Sequence, residues 1–143
     1  MDEEPNSSEI SCRLLRAADT MDLMTLYKDA GWWDQKCERH PEFLSRVVPD
    51  SALFVGAFSQ NKMIGMGRAL SDLVSDAYIQ DVVVLRQFRG RGIGRQIIRT
   101  LIDGLKEHGV DWIGLIGEPG TGRFYESMGF RPMAGHTPYR LKD

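Results

Sequence analysis

Residues 82–95 read Val82-Val83-Val84-Leu85-Arg86-Gln87-Phe88-Arg89-Gly90-Arg91-Gly92-Ile93-Gly94-Arg95, and this stretch decides the fold. Before it, residues 78–85 form the strongest strand signal in the chain. Three consecutive valines suit a central strand covered on both faces. After it, residues 91–107 carry Ile93, Ile97, Ile98, Leu101, Ile102 and Leu105 at helical steps on one face, with Arg95, Arg99, Asp103 and Lys106 off it. His108-Gly109 stops that helix. Between strand and helix lies a glycine loop with Arg89, Arg91 and Arg95. A helix start has unpaired amides and the positive end of the dipole, so it attracts phosphate. Glycines let an anion approach the backbone without a Cβ in the way.

Upstream, residues 10–16 read as a short strand. Asp19 is a candidate cap for a helix that Gly31 ends, and Trp32-Trp33-Asp34 follows as a loop. Residues 41–48 suggest a short helix. Residues 51–58 and 63–70 suggest a hairpin turning at 59–62. Downstream, the pattern gives a strand over 112–116, a short helix over 121–128, and a last pair of strands at 130–133 and 138–141. The order is β-α-α-β-β-β-α-β-α-β-β, an α/β domain with a mixed sheet.

The chain has 143 residues, one domain's worth at roughly 150 per domain. We read 10–143 as that domain and 1–9, acidic and polar, as a flexible tail without secretory-signal character. Hydrophobic residues make up 42% and charged residues 27%, an ordinary globular composition. The net charge of −2 argues against a general grip on nucleic acid. No apolar run approaches the ~20 residues of a membrane span. Cys12 and Cys37 show no CxxC pattern, and His40, His108 and His136 lack metal-ligand spacing, so no metal and a reducing, cytoplasmic setting are expected.

The loop is no P-loop, since no Gly-Lys pair exists. It fits a Rossmann fingerprint badly, because Arg95 stands where glycine or alanine belongs and three strands precede it. Read alone, it is either a phosphate cradle or a tight turn with incidental arginines.

Two motifs together carry a resemblance. Val82-Val83-Val84 with Arg89-Gly90-Arg91-Gly92-Ile93-Gly94 is similar to motif A of the GCN5-related N-acetyltransferases (GNAT), and Phe124-Tyr125-Glu126-Ser127-Met128-Gly129-Phe130 resembles that family's Phe-Tyr-x-x-x-Gly-Phe signature. The resemblance runs from about residue 10 to 141. It implies a twisted, mostly antiparallel mixed sheet of six to seven strands with about four helices and a splay between the fourth and fifth strands. It implies an acetyl-CoA-dependent transfer to a primary amine of a small molecule, by direct attack in a ternary complex. A protein or peptide amine, or a non-catalytic acyl-CoA-binding module, is the alternative. Beside the small-molecule amine partner, the charge and hydropathy lead us to expect no nucleic acid and no membrane, and a homodimer stays open.

By the same resemblance, the pyrophosphate would meet Arg89, Gly90, Arg91, Gly92, Ile93, Gly94 and Arg95, with Phe124 beside them, and the pantetheine arm would pair with Val82, Val83 and Val84. Tyr125 matches the general acid that protonates the departing thiolate; the plainer alternative is a core aromatic next to Phe124. Glu118 stands where many relatives carry asparagine, and Thr121 where they carry alanine. The amine also needs a base. Strand alternation puts Tyr78 and Gln80 on one side, the cleft side in relatives, and Ile79 and Asp81 on the other unless a bulge intervenes. Asp81 is the better base with the worse parity; it could instead pin a loop, and a water chain could serve alone. Trp32, Trp33 and Asp34 lie where the family builds its acceptor wall, although one tryptophan could simply anchor the loop.

Overall fold

The computed structural model describes residues 9–142. The expected tail over 1–9 therefore lies outside the described residues except for Glu9. Five strands form one sheet in the order β1-β2-β3-β4-β5: β1 (Ser11–Leu14), β2 (Leu53–Ser59), β3 (Lys62–Ser71), β4 (Asp76–Val84) and β5 (Trp112–Gly114). The first three pairings are antiparallel and β4–β5 is parallel. The mixed α/β sheet is as the sequence suggests. The strand count is lower than six to seven, because neither 130–133 nor 138–141 joins the sheet. Pro132 and Pro138 remove two ladder donors there. Gly135 turns left-handed at φ 79°, and the amide of His136 closes a local turn on the carbonyl of Met133 at 3.1 Å.

The helices are α1 (Thr20–Asp29), α2 (Gln35–Arg39), α3 (Leu44–Val47), α4 (Ile93–Glu107) and α5 (Gly122–Ser127), with 3-10 turns at Pro41–Phe43 and Arg86–Phe88. Asp19 caps α1 by accepting from the amides of Met21 at 2.8 Å and Asp22 at 3.3 Å, an arrangement worth about 1 kcal/mol. The helix α2 is an addition to the sequence reading, which put a loop at Trp32-Trp33-Asp34 and assigned nothing to 35–40. At five residues it is too short to show a period, and it rests on its cap, Asp34, which accepts from the Cys37 amide at 2.8 Å.

The core lies on both faces of the sheet. Ile97, Ile98, Leu101 and Leu105 of α4 are fully buried on one face, and Leu23 and Leu26 of α1 on the other. The strand β3 admits α4 closely because Gly65 and Gly67 face it. A Cβ on Gly67 would stand 2.6 Å from Ile97 Cγ2, so the isoleucine occupies a notch that only glycine leaves open. The two-residue turn between β2 and β3 places Gln60 and Asn61 at φ 50° and 66°, the geometry that matches strand twist.

One irregularity positions everything that follows. Between the pairs Met66↔Val83 and Arg68↔Gln80, β3 supplies Gly67 alone while β4 supplies Asp81 and Val82. This is a β-bulge, with Asp81 left-handed at φ 55°. The extra residue reverses the alternation of β4 beyond it.

Candidate active site

The parallel ladder between β4 and β5 ends at Tyr78↔Gly114, while β4 continues to Val84. The strands part at that point, as expected, and β5 stops at Gly114 rather than at 116. Backbone groups of successive strand residues face alternate sides. The Leu85 amide bonds the Ile64 carbonyl of β3 at 2.8 Å, so Val82 and Val84 face the opening and Val83 faces β3. That corrects the assignment of all three valines to the pantetheine arm: Val83 belongs to the ladder. The Val84 carbonyl, moreover, accepts from Arg89 Nε at 2.9 Å.

The glycine loop sits at the end of this opening. Gly90 and Gly92 are left-handed at φ 79° and 78°, and a Cβ at either would meet nothing within 4 Å. Gly92 precedes α4 without a side-chain cap. The amides of Ile93, Gly94 and Arg95 lie in the first turn, where helix geometry offers them no carbonyl. The loop therefore fits an anion held by backbone amides. The arginines serve it less directly than the sequence suggests. Arg95 donates to Ser127 Oγ at 2.7 Å, tying α5 to α4. Arg89 also reaches Asp29 at 3.5 Å, and Asp29 accepts from the Arg86 amide at 3.2 Å. Arg91 lies over the Phe88 ring, 5.4 Å from its centroid, and is exposed.

Phe124 and Tyr125 come from α5. The Phe124 ring covers the loop, with Cζ 3.5 Å from where a Gly94 Cβ would be. Tyr125 packs edge-on to Phe124 and Phe130 at 5.0 and 5.9 Å. It also lies beside Gly117, in the segment that leaves β5. Burial, and then the negative charge of Glu118, push its phenol above the ordinary value of 10.0. The hydroxyl thus stays protonated at neutral pH, as a proton donor must.

The bulge decides the other wall. Arg68 pairs with Gln80 across the ladder, and its Nε lies 2.7 Å from Asp81 Oδ2. The same oxygen accepts from the Tyr27 hydroxyl of α1 at 3.3 Å. Asp81 therefore shares the face of Tyr78 and Gln80, against the simple alternation. Tyr78 is half exposed and meets Trp112 edge-on at 5.3 Å.

Trp32 and Trp33 do not sandwich a common space. Trp32, 39% exposed, stands edge-on to Tyr27 at 5.5 Å. Trp33 is the anchor: it stacks near Phe43 at 6.0 Å and donates to Glu38 at 2.6 Å. Asp34 is occupied as the α2 cap, and the Cys37 amide holds its carboxyl below the usual range. Tyr27, Arg68 and Asp29 were not among the site residues to which the sequence pointed. Arg68 had a visible signal, as the lone charge inside the apolar strand MIGMGRAL. The other two had none.

Among the described residues no cluster of three or more His, Cys, Asp or Glu could hold a metal ion, and no helix is long and apolar enough to cross a membrane.

Comparison with known proteins bears on the family and the fold. A family model described as "Acetyltransferase (GNAT) family" matches residues 17–130. The "Uncharacterized N-acetyltransferase ycf52" of Pyropia yezoensis is 38% identical over 109 residues, covering 76% of this chain and 63% of that protein. "Histone acetyltransferase TAP1" of Glycine max is 37% identical over 123 residues, covering 78% and 52%. The chain thus spans less than two thirds of these relatives' length. In fold it is similar to a GNAT family acetyltransferase of Streptococcus pneumoniae, with a TM-score of 0.80, 23% identity and coverage of 94% and 98%. It is also similar to AAC(6')-Iy, solved with a CoA bisubstrate analogue, with a TM-score of 0.75, 16% identity and coverage of 94% and 99%. With the family model spanning most of the domain, the chain belongs to the GNAT acetyltransferase family.

Proposed function

We infer that the protein is an N-acetyltransferase that uses acetyl-CoA to acetylate a primary amine of a small molecule by direct attack in a ternary complex. The observation that carries this is the parting of β4 from β5 beside the glycine loop. It leaves the backbone of Val82 and the Val84 amide free at the mouth of a phosphate cradle, with the Tyr125 phenol on the far side of the opening. Backbone polar groups left free on a central strand call for a partner. An amide-bearing arm that pairs like an added strand supplies one.

When bound, acetyl-CoA supplies an acetyl group activated as a thioester. The amides of Gly92 to Arg95 would hold its pyrophosphate, and Val82 and Val84 its arm. The incoming amine would lose one proton to water and attack the acetyl carbon; as the carbon–sulfur bond breaks, the Tyr125 hydroxyl would give its proton to the leaving sulfur, and the second proton of the acylated nitrogen would restore the Tyr125 hydroxyl. Trp32, with Tyr78 and Gln80 along β4, lines the side from which the amine arrives. Water is the simplest route for the amine's proton, because Asp81 already holds two hydrogen bonds on one oxygen.

A protein amine is the second reading, favoured by the soybean relative's name. The test is release of free thiol from acetyl-CoA against a panel of small amines and lysine peptides, with Gly92→Asp as control. We expect turnover with a small amine, and loss of acetyl-CoA binding in the control, where a carboxylate enters the cradle. Turnover with peptides alone would favour the second reading. Binding without turnover on any amine would leave an acyl-CoA-binding module.

A further inference from the structure

We propose that Arg68 and Tyr27 are positioning residues, which lock the Asp81 bulge of β4 and the Trp32 wall of the acceptor side into one unit. This rests on the transferase reading for its consequence, but the lock itself is read from contacts. Asp81 Oδ2 accepts from both Arg68 Nε, at 2.7 Å, and the Tyr27 hydroxyl, at 3.3 Å. The Arg68 and Asp81 side chains are only 18% and 26% exposed. A pair this sheltered is screened less than a surface pair, and removing one partner strands the other. Arg68 continues the chain: its Nη1 reaches Ser51 Oγ at 3.5 Å, and that hydroxyl donates to the Val47 carbonyl at the end of α3 at 2.6 Å. Tyr27 continues it the other way, edge-on to Trp32 at 5.5 Å. One connected set of contacts thus joins α1, α3, β3 and β4 to the tryptophan.

Two features make this more than surface decoration. Asp81 holds a left-handed backbone, at φ 55°, which an aspartate adopts only against a steric penalty and which a surrounding structure must enforce. The ion pair and the phenol are what enforce it. Asp81 also lies three residues beyond Tyr78, where pairing with β5 ends, so the residue that bends β4 is the one that the lock grips. The carboxylate therefore sets shape on both sides of the strand: the opening for the coenzyme arm and the wall for the amine. Its Oδ2 is committed to these two donors.

The test uses Tyr27→Phe, Arg68→Gln, Arg68→Lys and Asp81→Asn in the full chain. Tyr27→Phe keeps the ring and removes only the hydroxyl, so the fold survives even if the Arg68 variants are poorly folded. Amide hydrogen exchange is read first, because it needs no substrate. Residues 30–36 and 79–83 should exchange about tenfold faster together in Tyr27→Phe and Arg68→Gln, with the later turns of α4 unchanged and Arg68→Lys partly restored. Exchange in only one of the two segments, or in neither, overturns the lock. With an acceptor in hand, Tyr27→Phe should raise the acceptor KM about tenfold and leave kcat within about threefold. The double variant Arg68→Gln/Asp81→Asn should be no worse than either single, since both remove one contact. A loss of about a hundredfold in kcat for Asp81→Asn alone, with Tyr27→Phe and Arg68→Gln near wild type, would instead make Asp81 the base. Calorimetry with acetyl-CoA decides the transferase reading separately: wild type that binds none refutes that reading while exchange still decides the lock.

Discussion

A phenol is a useful proton donor only while it keeps its proton, and at Tyr125 burial together with the Glu118 charge raises the pH at which it is lost. The wild-type kcat should therefore hold through neutral pH and fall only above the ordinary tyrosine value of 10.0. Tyr125→Phe keeps the ring packed between Phe124 and Phe130 and should lower kcat by about 10²–10⁴-fold with acetyl-CoA affinity little changed. The alkaline fall should vanish with it. Steady-state kinetics of both proteins to about pH 11 check this; a drop below threefold with the fall intact would make Tyr125 a packing residue. Asp34→Asn is a cleaner probe than the sequence alone suggested. Asparagine caps a helix as well as aspartate does, so α2 should persist and only the charge is lost. If Asp34 also faces a cationic acceptor, its KM rises while acetyl-CoA binding stays; an unchanged KM confines Asp34 to capping. Placement was legible in the sequence where residues lie within a motif, as with Gly92 before α4 and Tyr125 on α5. It was not legible where the partner is distant: nothing in the order of residues says that Tyr27 meets Asp81, 54 positions away.

At the scale of elements, α4 was readable because it carries a long helical period, and β4 because of its run of three valines. The Asp81 bulge was not, because a two-residue repeat gives no sign of where it gains a residue. The short α2 and the ragged end of β5 were missed or misjudged for a similar reason: few residues, little period. The seating of α4 on β3 can be tested directly. Gly67→Ala places a methyl 2.6 Å from Ile97 Cγ2, with Leu101 Cδ1 and Val82 Cγ2 both at 3.3 Å. Ile97 is branched at Cβ and fully buried, so it cannot swing aside cheaply. We expect a loss of about 1–3 kcal/mol in urea unfolding, as for overpacked cores. Gly90→Ala, by contrast, meets no atom and should lose stability only through its positive φ.

Across the whole molecule, the mixed, mostly antiparallel sheet is what the resemblance implied, while the closing strands did not form. Composition and alternation can nominate a strand, but pairing requires an edge long enough to receive it, and β5 offers three residues. Residues 131–142 are exposed, Tyr139 and Leu141 at 92% and 93%. They contribute little burial, so a chain ended after Arg131 should melt within about 2 °C of the full one. A larger fall in calorimetric Tm would show that this segment packs against the domain in solution.

The bulge also has a genetic reading. Against Gly67 of β3 stand two residues of β4, Asp81 and Val82, so Asp81 is one more than a regular register needs. If its codon were deleted in frame, Val82 would stand opposite Gly67, and residues 77–84 would alternate without interruption between the two faces they already occupy. The deletion would keep the remaining side chains of β4 on their present faces, while Arg68 and Tyr27 would lose their shared partner. The shortened chain should fold and lose the parting of β4 from β5, so its melting temperature should no longer respond to acetyl-CoA. In lineages of this domain, a three-nucleotide indel would then separate a coenzyme cleft from a plain sheet.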